Sequence, residues 1–147
     1  TGLQPASTTV TPYLSVVRPP KVNRNVLGGF LHLRGRLAPT GFGVISETNQ
    51  TWNLAGGYSQ FRATVGVDDA AQGGGSVIFK VLIDDAVTWQ SDLLTGQSAA
   101  VTLPAIELSD TERLSLIVES ADRGSVLDYA NWCEPVLIRK SVAAARQ

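Results

Sequence analysis

The sequence predicts an all-β domain, an antiparallel β-sandwich, on three observations. Apolar residues recur at every second position over several segments, and helical periodicity is nearly absent. These segments are short, spaced by roughly 8–15 residues, and separated by turn-forming sequences rich in Gly, Asp and Ser. The composition, 44% hydrophobic and 17% charged, is typical of a globular chain with a packed core.

The strands follow from the alternation. In residues 61–67, Phe, Ala, Val and Val fall on one face and polar residues lie between them. Residues 77–83 repeat the pattern with apolar residues on both faces, which predicts a central strand covered on both sides. Residues 114–118 and 136–138 supply two further stripes. Asp84-Asp85, between two apolar runs, predicts a tight hairpin turn.

A chain of 147 residues without an internal repeat or a linker predicts one domain over 1–147. We expect residues 1–9 and 141–147 to be loose. No apolar run is long enough to span a membrane, and the first residues lack the pattern of a signal peptide. The single cysteine, Cys133, excludes an internal disulfide.

Charge is unevenly distributed along the chain. The first 46 residues contain five bases and no acid, while acids dominate the remainder. This asymmetry indicates either an anion-binding face or a solvated surface that the acidic part balances after folding. Nucleic-acid binding is disfavoured because the bases are not interleaved with aromatic residues.

Enzyme chemistry is poorly supported. The one histidine, His32, stands in a Leu-His-Leu-Arg-Gly-Arg segment rather than beside a nucleophile, and Cys133 has the sequence context of a packed thiol. No Gly-x-Ser-x-Gly occurs, and the glycines at 73–75 are not followed by Gly-Lys-Ser/Thr. A lone His and a lone Cys make a zinc site unfavourable. We therefore expect no catalytic residues.

Six short motifs follow one another at characteristic spacing. They are Gly41-Phe42-Gly43-Val44, Leu54 with Tyr58 and Phe61, Gly66-Val67-Asp68-Asp69, Gly75-Ser76-Val77-Ile78-Phe79-Lys80-Val81, Ser91 with Gly96, and Asp128-Tyr129-Ala130-Asn131-Trp132. Together they resemble the signature of the NPCBM family, carbohydrate-binding module family 51, over Tyr13 to Arg139. The resemblance implies a galactose-binding-like jelly roll that recognises glycans without catalysing a reaction. It departs from the family where Ile45 stands in place of a His.

Sugar recognition requires an aromatic surface for the C–H face of the ring and a few fixed polar groups for its hydroxyls. We expect loops at one end of the sandwich to supply them, with Tyr129 and Trp52 as the aromatic candidates. The aspartates have alternative roles as turn caps or acceptors for buried amides, and Trp132 is expected in the core. The predicted ligand-binding residues are Glu47, Asp68, Asp69, Arg123, Asp128, Tyr129 and Asn131.

No cofactor is required by these motifs. Domains of the resembled fold often hold a structural Ca²⁺ between an early loop and an acidic residue of the last strand. Glu134 occupies the late position, while the early loop offers backbone carbonyls and Asn23 or Asn25. Ca²⁺ takes six to eight oxygen ligands, usually including carboxylates, so this set is sparse.

Two functions remain open from the sequence. The first is a module of a larger extracellular, periplasmic or cell-envelope protein that binds galactose-like glycans, or anionic glycans through arginines. The second is a divergent module that has lost sugar binding and serves protein interaction or assembly. Residues 26–33 are apolar enough for an exposed docking patch, and equally for a buried strand. The arginines in question are Arg18, Arg24, Arg34 and Arg36, and the apolar residues are Val26, Leu27, Phe30, Leu31 and Leu33.

Overall fold

The computed structural model describes residues 7–10, 20–121 and 127–139. Within them the chain forms strands and one short 3₁₀ helix, Asp69–Ala71. The strands are β1 Ser7–Val10, β2 Lys21–Val22, β3 Leu31–Leu33, β4 Arg36–Ala38, β5 Gly41–Ile45, β6 Thr48–Asn53, β7 Tyr58–Val67, β8 Ser76–Ile83, β9 Ala86–Gln90, β10 Leu94–Thr95, β11 Val101–Thr102, β12 Ile106–Glu107, β13 Arg113–Ser120 and β14 Tyr129–Arg139.

The strands assemble into two six-stranded sheets and a separate hairpin. Sheet A has the order β1-β6-β13-β8-β10, with β9 also paired to β8. Sheet B has the order β11-β7-β14-β5-β2, with β12 also paired to β7, and β3 pairs with β4. Every recorded pair is antiparallel. The predicted antiparallel β-sandwich is confirmed.

The core lies between the two sheets and is filled by the apolar stripes predicted for β7, β8 and β13. The stripe predicted at Val136 and Ile138 is wrong: these residues are 48% and 36% exposed, and Leu137 packs against the core instead, after a shift of register in β14. Trp132 of sheet B meets Phe79 of sheet A edge to face, with ring centroids 5.1 Å apart. Phe42 and Trp52 form a second pair across the sheets at 5.6 Å. Trp132 is therefore a core residue, as predicted. Trp52 is only 4% exposed, so the expectation that it offers a sugar-binding surface is wrong.

The β3–β4 hairpin covers part of the outer face of sheet B. Its residues Leu31 and Leu33 are buried against sheet B, which identifies most of the apolar segment as internal packing. Glycines in sheet B allow the early loop and the hairpin to approach it closely. A Cβ on Gly43 would lie 2.3 Å from the carbonyl oxygen of Arg24, and one on Gly66 would lie 3.0 Å from Leu33 Cδ2. The Gly-Phe-Gly-Val motif thus places Phe42 in the core and leaves room for the chain on the other face.

Three expectations need correction or confirmation. Residues 7–9 are not loose, because β1 pairs with β6 from Ser7 opposite Thr51 to Val10 opposite Thr48; the other residues expected to be loose lie outside the described ranges. Strand β8 is central, but its outer face is only half-buried, so it is not covered on both sides. The Asp84-Asp85 turn is confirmed, with φ of 48° and 70°.

Among the described residues, no helix is long and apolar enough to cross a membrane.

Candidate functional site

The structure brings most of the predicted ligand-binding residues together at one end of the sandwich. Strands β5, β7 and β13 finish at this end, and β8 and β14 begin there. Arg123 lies outside the described residues. The other six form what we call the sandwich-end site: Glu47, Asp68, Asp69, Asp128, Tyr129 and Asn131.

Asp68 is fully buried and forms the structural centre of this end. Its Oδ1 accepts hydrogen bonds from Asn25 Nδ2 at 3.1 Å and from the amide of Ala70 at 2.9 Å. Its Oδ2 accepts from the amide of His32 at 3.0 Å and from Asn131 Nδ2 at 2.7 Å. Four donors from three separate segments therefore converge on one carboxylate, which ties the early loop and the hairpin to sheet B.

Asp69 fixes the turn of the β3–β4 hairpin. Its two carboxylate oxygens each accept one backbone amide, that of Arg34 and that of Gly35, both at 2.7 Å. Both turn residues have positive φ, 52° and 82°. Asp69 therefore accepts hydrogen bonds from a turn, one of the roles that the sequence left open for these aspartates. The turn lies more than thirty residues upstream in the chain.

Asp128 and Asn131 are also buried. Asp128 Oδ1 accepts the amide of Ser76 at 2.8 Å, which joins the start of β8 to the start of β14. Asn131 directs its amide nitrogen at Asp68, and its Oδ1 is buried without a hydrogen-bond partner among the described residues. These two side chains shape the site from below and do not present polar groups to solvent.

Glu47, Asp69 and Tyr129 are the half-exposed members of the site, and both carboxylate oxygens of Asp69 already accept backbone amides. Glu47 has a φ of 62°, and its Oε1 accepts the amide of Ser120 at 2.9 Å. Tyr129 lies opposite Ile45 in the β5–β14 pair. Ile45 is 5% exposed, so an apolar side chain occupies the place where the resembled family has a His. The end therefore presents the Glu47 carboxylate and the exposed part of the Tyr129 ring, which also packs against the core.

A concave surface crosses the outer face of sheet B, away from the sandwich-end site. Two adjoining cavities of about 310 and 290 Å³ share Thr64, Thr102 and Glu134. We call this surface the trough. It is lined by Leu33, Arg36, Leu37, Ala38, Arg62, Ala63, Thr64, Ala100, Thr102, Leu103, Ala105, Cys133 and Glu134. It has no aromatic lining residue, so it lacks the surface that a sugar ring usually requires.

The nucleophile and the base seen in the sequence do not form a catalytic pair. Cys133 is 3% exposed, and burial, with Asp68 and Glu134 nearby, raises the pKa of its thiol to about 12. His32 Nδ1 lies 3.1 Å from Asp68 Oδ1, off the direction of a hydrogen bond. A thiol with so high a pKa is not a nucleophile at neutral pH. No local pattern indicates the His32–Asp68 contact, because 36 residues separate the two.

The residues proposed for Ca²⁺ have other partners. Asn25 Oδ1 accepts the amides of Leu27 and Gly29, both at 3.0 Å, and Asn23 Oδ1 accepts the amide of Gly41 at 3.0 Å. Glu134 is exposed, at an irregularity of β14. Within the described ranges, no three or more His, Cys, Asp or Glu side chains are grouped to hold a metal ion. These residues do not fit the oxygen set that Ca²⁺ requires.

Three arginines of the basic first third lie within the described residues, and each has its own contacts. The Arg24 guanidinium lies over the Phe30 ring, 4.9 Å from its centroid. Arg34 donates to the carbonyl oxygen of Gln97 at 3.1 Å, and Arg36 lines the trough. Arg18 lies outside the described residues.

The family model of the NPCBM/NEW2 domain matches residues 3–138 of this chain. The chain belongs to the NPCBM/NEW2 domain family. The resemblance found in the sequence is thereby confirmed, and membership makes this domain a non-catalytic carbohydrate-binding module. A search of the curated proteins found no match.

Solved structures support the same fold. The CBM51 of Clostridium perfringens GH95, in complex with methyl-galactose, superposes with a TM-score of 0.82 at 20% identity, covering 92% of this chain and 94% of that one. CBM51-2 of C. perfringens ZmpB, in complex with GlcNAc, gives 0.82 at 23% identity, over 92% of this chain and 30% of that one. Tandem CBM51 modules of Streptococcus pneumoniae Sp3GH98 give 0.77 at 15% identity, over 94% and 45%. The chain thus spans about a third or less of the ZmpB chains it matches.

Proposed function

We propose that this module binds a neutral, galactose-like sugar at the sandwich-end site. The observation that carries the proposal is that Tyr129 lies opposite Ile45 and Glu47 follows Ile45 by two residues, so the ring and the carboxylate stand at the same end of the sandwich. The Ser120 amide holds Glu47, and the Ser76 amide holds Asp128, the residue before Tyr129. In this arrangement the Tyr129 ring packs against the C–H face of the sugar, and Glu47 accepts hydrogen bonds from its hydroxyls. Asp68, Asp69, Asp128 and Asn131 act as positioning residues.

The choice of a galactose-like ligand rests on relatives and on charge. The CBM51 of C. perfringens GH95 was solved with methyl-galactose, and CBM51-2 of ZmpB was solved with GlcNAc. Glu47 and Asp69 make the sandwich end a poor place for an anionic group, which favours a neutral ring. Because Ile45 supplies no hydrogen bond, we expect weaker binding than at a site with a polar side chain there, by about 1 kcal/mol.

We further propose that the module belongs to a larger extracytoplasmic protein and localises a partner domain on a glycan surface. The supporting observation is that one similar ZmpB structure contains an M60 catalytic domain together with two CBM51 domains. Clustering several weak modules on one chain raises apparent affinity without new contacts. A module of modest affinity therefore suits this role.

The competing function, protein interaction through residues 26–33, is weakened by burial. Val26, Leu31 and Leu33 are 3%, 0% and 7% exposed, so the segment mostly packs within the domain. Leu27 and Phe30 alone remain exposed there. Two side chains fall well short of the area of a stable protein interface.

The test is isothermal titration of the domain with methyl-galactoside, lactose and N-acetylglucosamine after a screen on a glycan array. We expect millimolar to high-micromolar binding that Tyr129→Ala weakens about tenfold or more. Tyr58→Ala is the matched control, because Tyr58 is also half-buried but begins β7 at the opposite end of the sandwich. Equal binding by wild type and Tyr129→Ala would refute this site.

A further inference from the structure

Phe30 is unusual among the aromatic residues that the structure describes. It is 64% exposed, whereas the others are buried or half-buried. A single exposed apolar side chain is common on protein surfaces and proves nothing alone. Its surroundings, however, give it a defined chemistry.

The first neighbour is a cation without a counter-ion. Arg24 is exposed and stacks over the Phe30 ring at 4.9 Å from the centroid. Its Nη1 donates to the carbonyl oxygen of Asn23 at 3.1 Å, and no recorded ion pair of the described residues includes it. The guanidinium therefore retains N–H groups for an anionic acceptor, held beside an aromatic surface.

The second feature is a loop that is fixed by hydrogen bonds. Asn25 is 3% exposed, its Oδ1 accepts the amides of Leu27 and Gly29, and its Nδ2 donates to the carbonyl oxygen of Phe30 at 3.2 Å. The amide of Asn25 donates to the carbonyl oxygen of Gly29 at 2.9 Å. A loop closed in this way presents Phe30 in one position, so little ordering entropy is lost when a ligand binds.

The loop is also connected to the sandwich-end site. Asp68 Oδ1 binds Asn25 Nδ2, and Asp68 Oδ2 binds Asn131 Nδ2. One buried carboxylate thus sets the position of both the Phe30 loop and the floor of the sandwich-end site.

We propose that Phe30 and Arg24 form a second subsite, specific for an anionic sugar residue. The carboxylate or sulfate of the sugar accepts paired hydrogen bonds from the outward edge of the Arg24 guanidinium, and the C–H groups of the sugar contact the exposed rim of the Phe30 ring, one face of which the guanidinium covers. The proposal deepens the proposed function, on which it rests, and extends recognition to glycans that carry an acidic residue.

The experiment titrates the domain with trigalacturonate, which carries carboxylates, and separately with galactose 6-sulfate. We expect binding of at least one probe that weakens as salt increases. Arg24→Gln should reduce that affinity about tenfold, Arg24→Lys should restore it only in part, and Phe30→Ala should reduce it about fivefold. The probe that binds more tightly identifies the anionic group.

Two variants control for non-specific effects. Arg62→Gln removes an equally exposed arginine from sheet B, and Val87→Ala removes an exposed apolar side chain from sheet A. Both should bind the anionic probe like the wild type. Absence of binding at millimolar probe, or an affinity that falls with Arg62→Gln as much as with Arg24→Gln, overturns the proposal.

The failure of this subsite is distinguishable from failure of the sandwich-end site. Phe30→Ala and Arg24→Gln should leave methyl-galactoside binding unchanged, and Tyr129→Ala should weaken it about tenfold or more. Loss of galactoside binding in the Phe30→Ala variant, with an unchanged thermal midpoint, would mean that the two subsites are one and that the separate subsite proposed here is wrong.

Discussion

Removing the buried carboxylate of Asp68 should destabilise the domain strongly. In Asp68→Ala, four donors lose their acceptor: Asn25 Nδ2, the amides of His32 and Ala70, and Asn131 Nδ2. A buried donor left unsatisfied costs about 1–3 kcal/mol, and partial solvation keeps the sum near the low end. We therefore expect the free energy of unfolding to fall by about 4 kcal/mol, measured by urea denaturation at pH 7 with a common m-value.

The neighbouring aspartate provides the matched control. Asp69→Ala also removes a carboxylate, but its two donors, the amides of Arg34 and Gly35, are at an exposed turn where water can replace it. The expected loss is about 1 kcal/mol. The loss of stability in Asp68→Asn should lie between those of the two alanine variants. Asparagine keeps one acceptor oxygen, but its NH₂ group would face donors where the wild type has the second oxygen. If Asp68→Ala costs no more than Asp69→Ala, the central role given to Asp68 is refuted.

Three further predictions concern packing, thiol chemistry and the rim of the site. Gly43→Ala should lower the free energy of unfolding by about 3 kcal/mol, because the new Cβ would lie 2.3 Å from the backbone oxygen of Arg24. Gly57→Ala is the control: its Cβ would lie 3.4 Å from the backbone oxygen of Leu54, so the loss in the same denaturation assay should be much smaller. The raised pKa of Cys133, about 12, means that the folded thiol keeps its proton where the unfolded thiol loses it, so stability falls as pH rises. Between pH 8 and 10 the wild type should lose about 1.4 kcal/mol more than Cys133→Ala, and equal losses would contradict the burial of a protonated thiol. Glu47→Gln should keep the bond to Ser120 and fold normally but weaken methyl-galactoside binding severalfold in calorimetry; unchanged affinity would remove Glu47 from the contact surface.

Local alternation predicted the strands well because one face of each strand is buried. The pattern of residues 61–67 placed Phe61 and Val65 in the core, and both are at most 2% exposed. The Asp84-Asp85 turn was equally visible, although Asp is less suited than Gly or Asn to its positive φ. Here Asp84 Oδ1 accepts the amides of Glu112 and Arg113, a compensation that comes from distant residues.

The site was only partly predictable because its contacts are long-range. The sequence indicated that Asp68 and Asp128 stand at strand ends, but not that each accepts a hydrogen bond from a backbone amide more than thirty residues away, that of His32 for Asp68 and that of Ser76 for Asp128. The glycines at 41 and 43 fitted a family pattern. The physical reason for them is that another part of the chain passes close against sheet B, which only the three-dimensional structure shows. The exposure of Phe30 beside buried Leu31 followed the alternation in Phe-Leu-His-Leu and could have been inferred from it.

The most direct test of the central claim is a ¹H–¹⁵N chemical-shift titration of the labelled domain with methyl-galactoside. Binding at the sandwich end predicts that the largest shifts come from the amides of Glu47, Ser120 and Tyr129 and their immediate neighbours, and that they saturate together. Shifts confined to the trough, around Thr64 and Thr102, or no shifts at saturating sugar, would contradict the account.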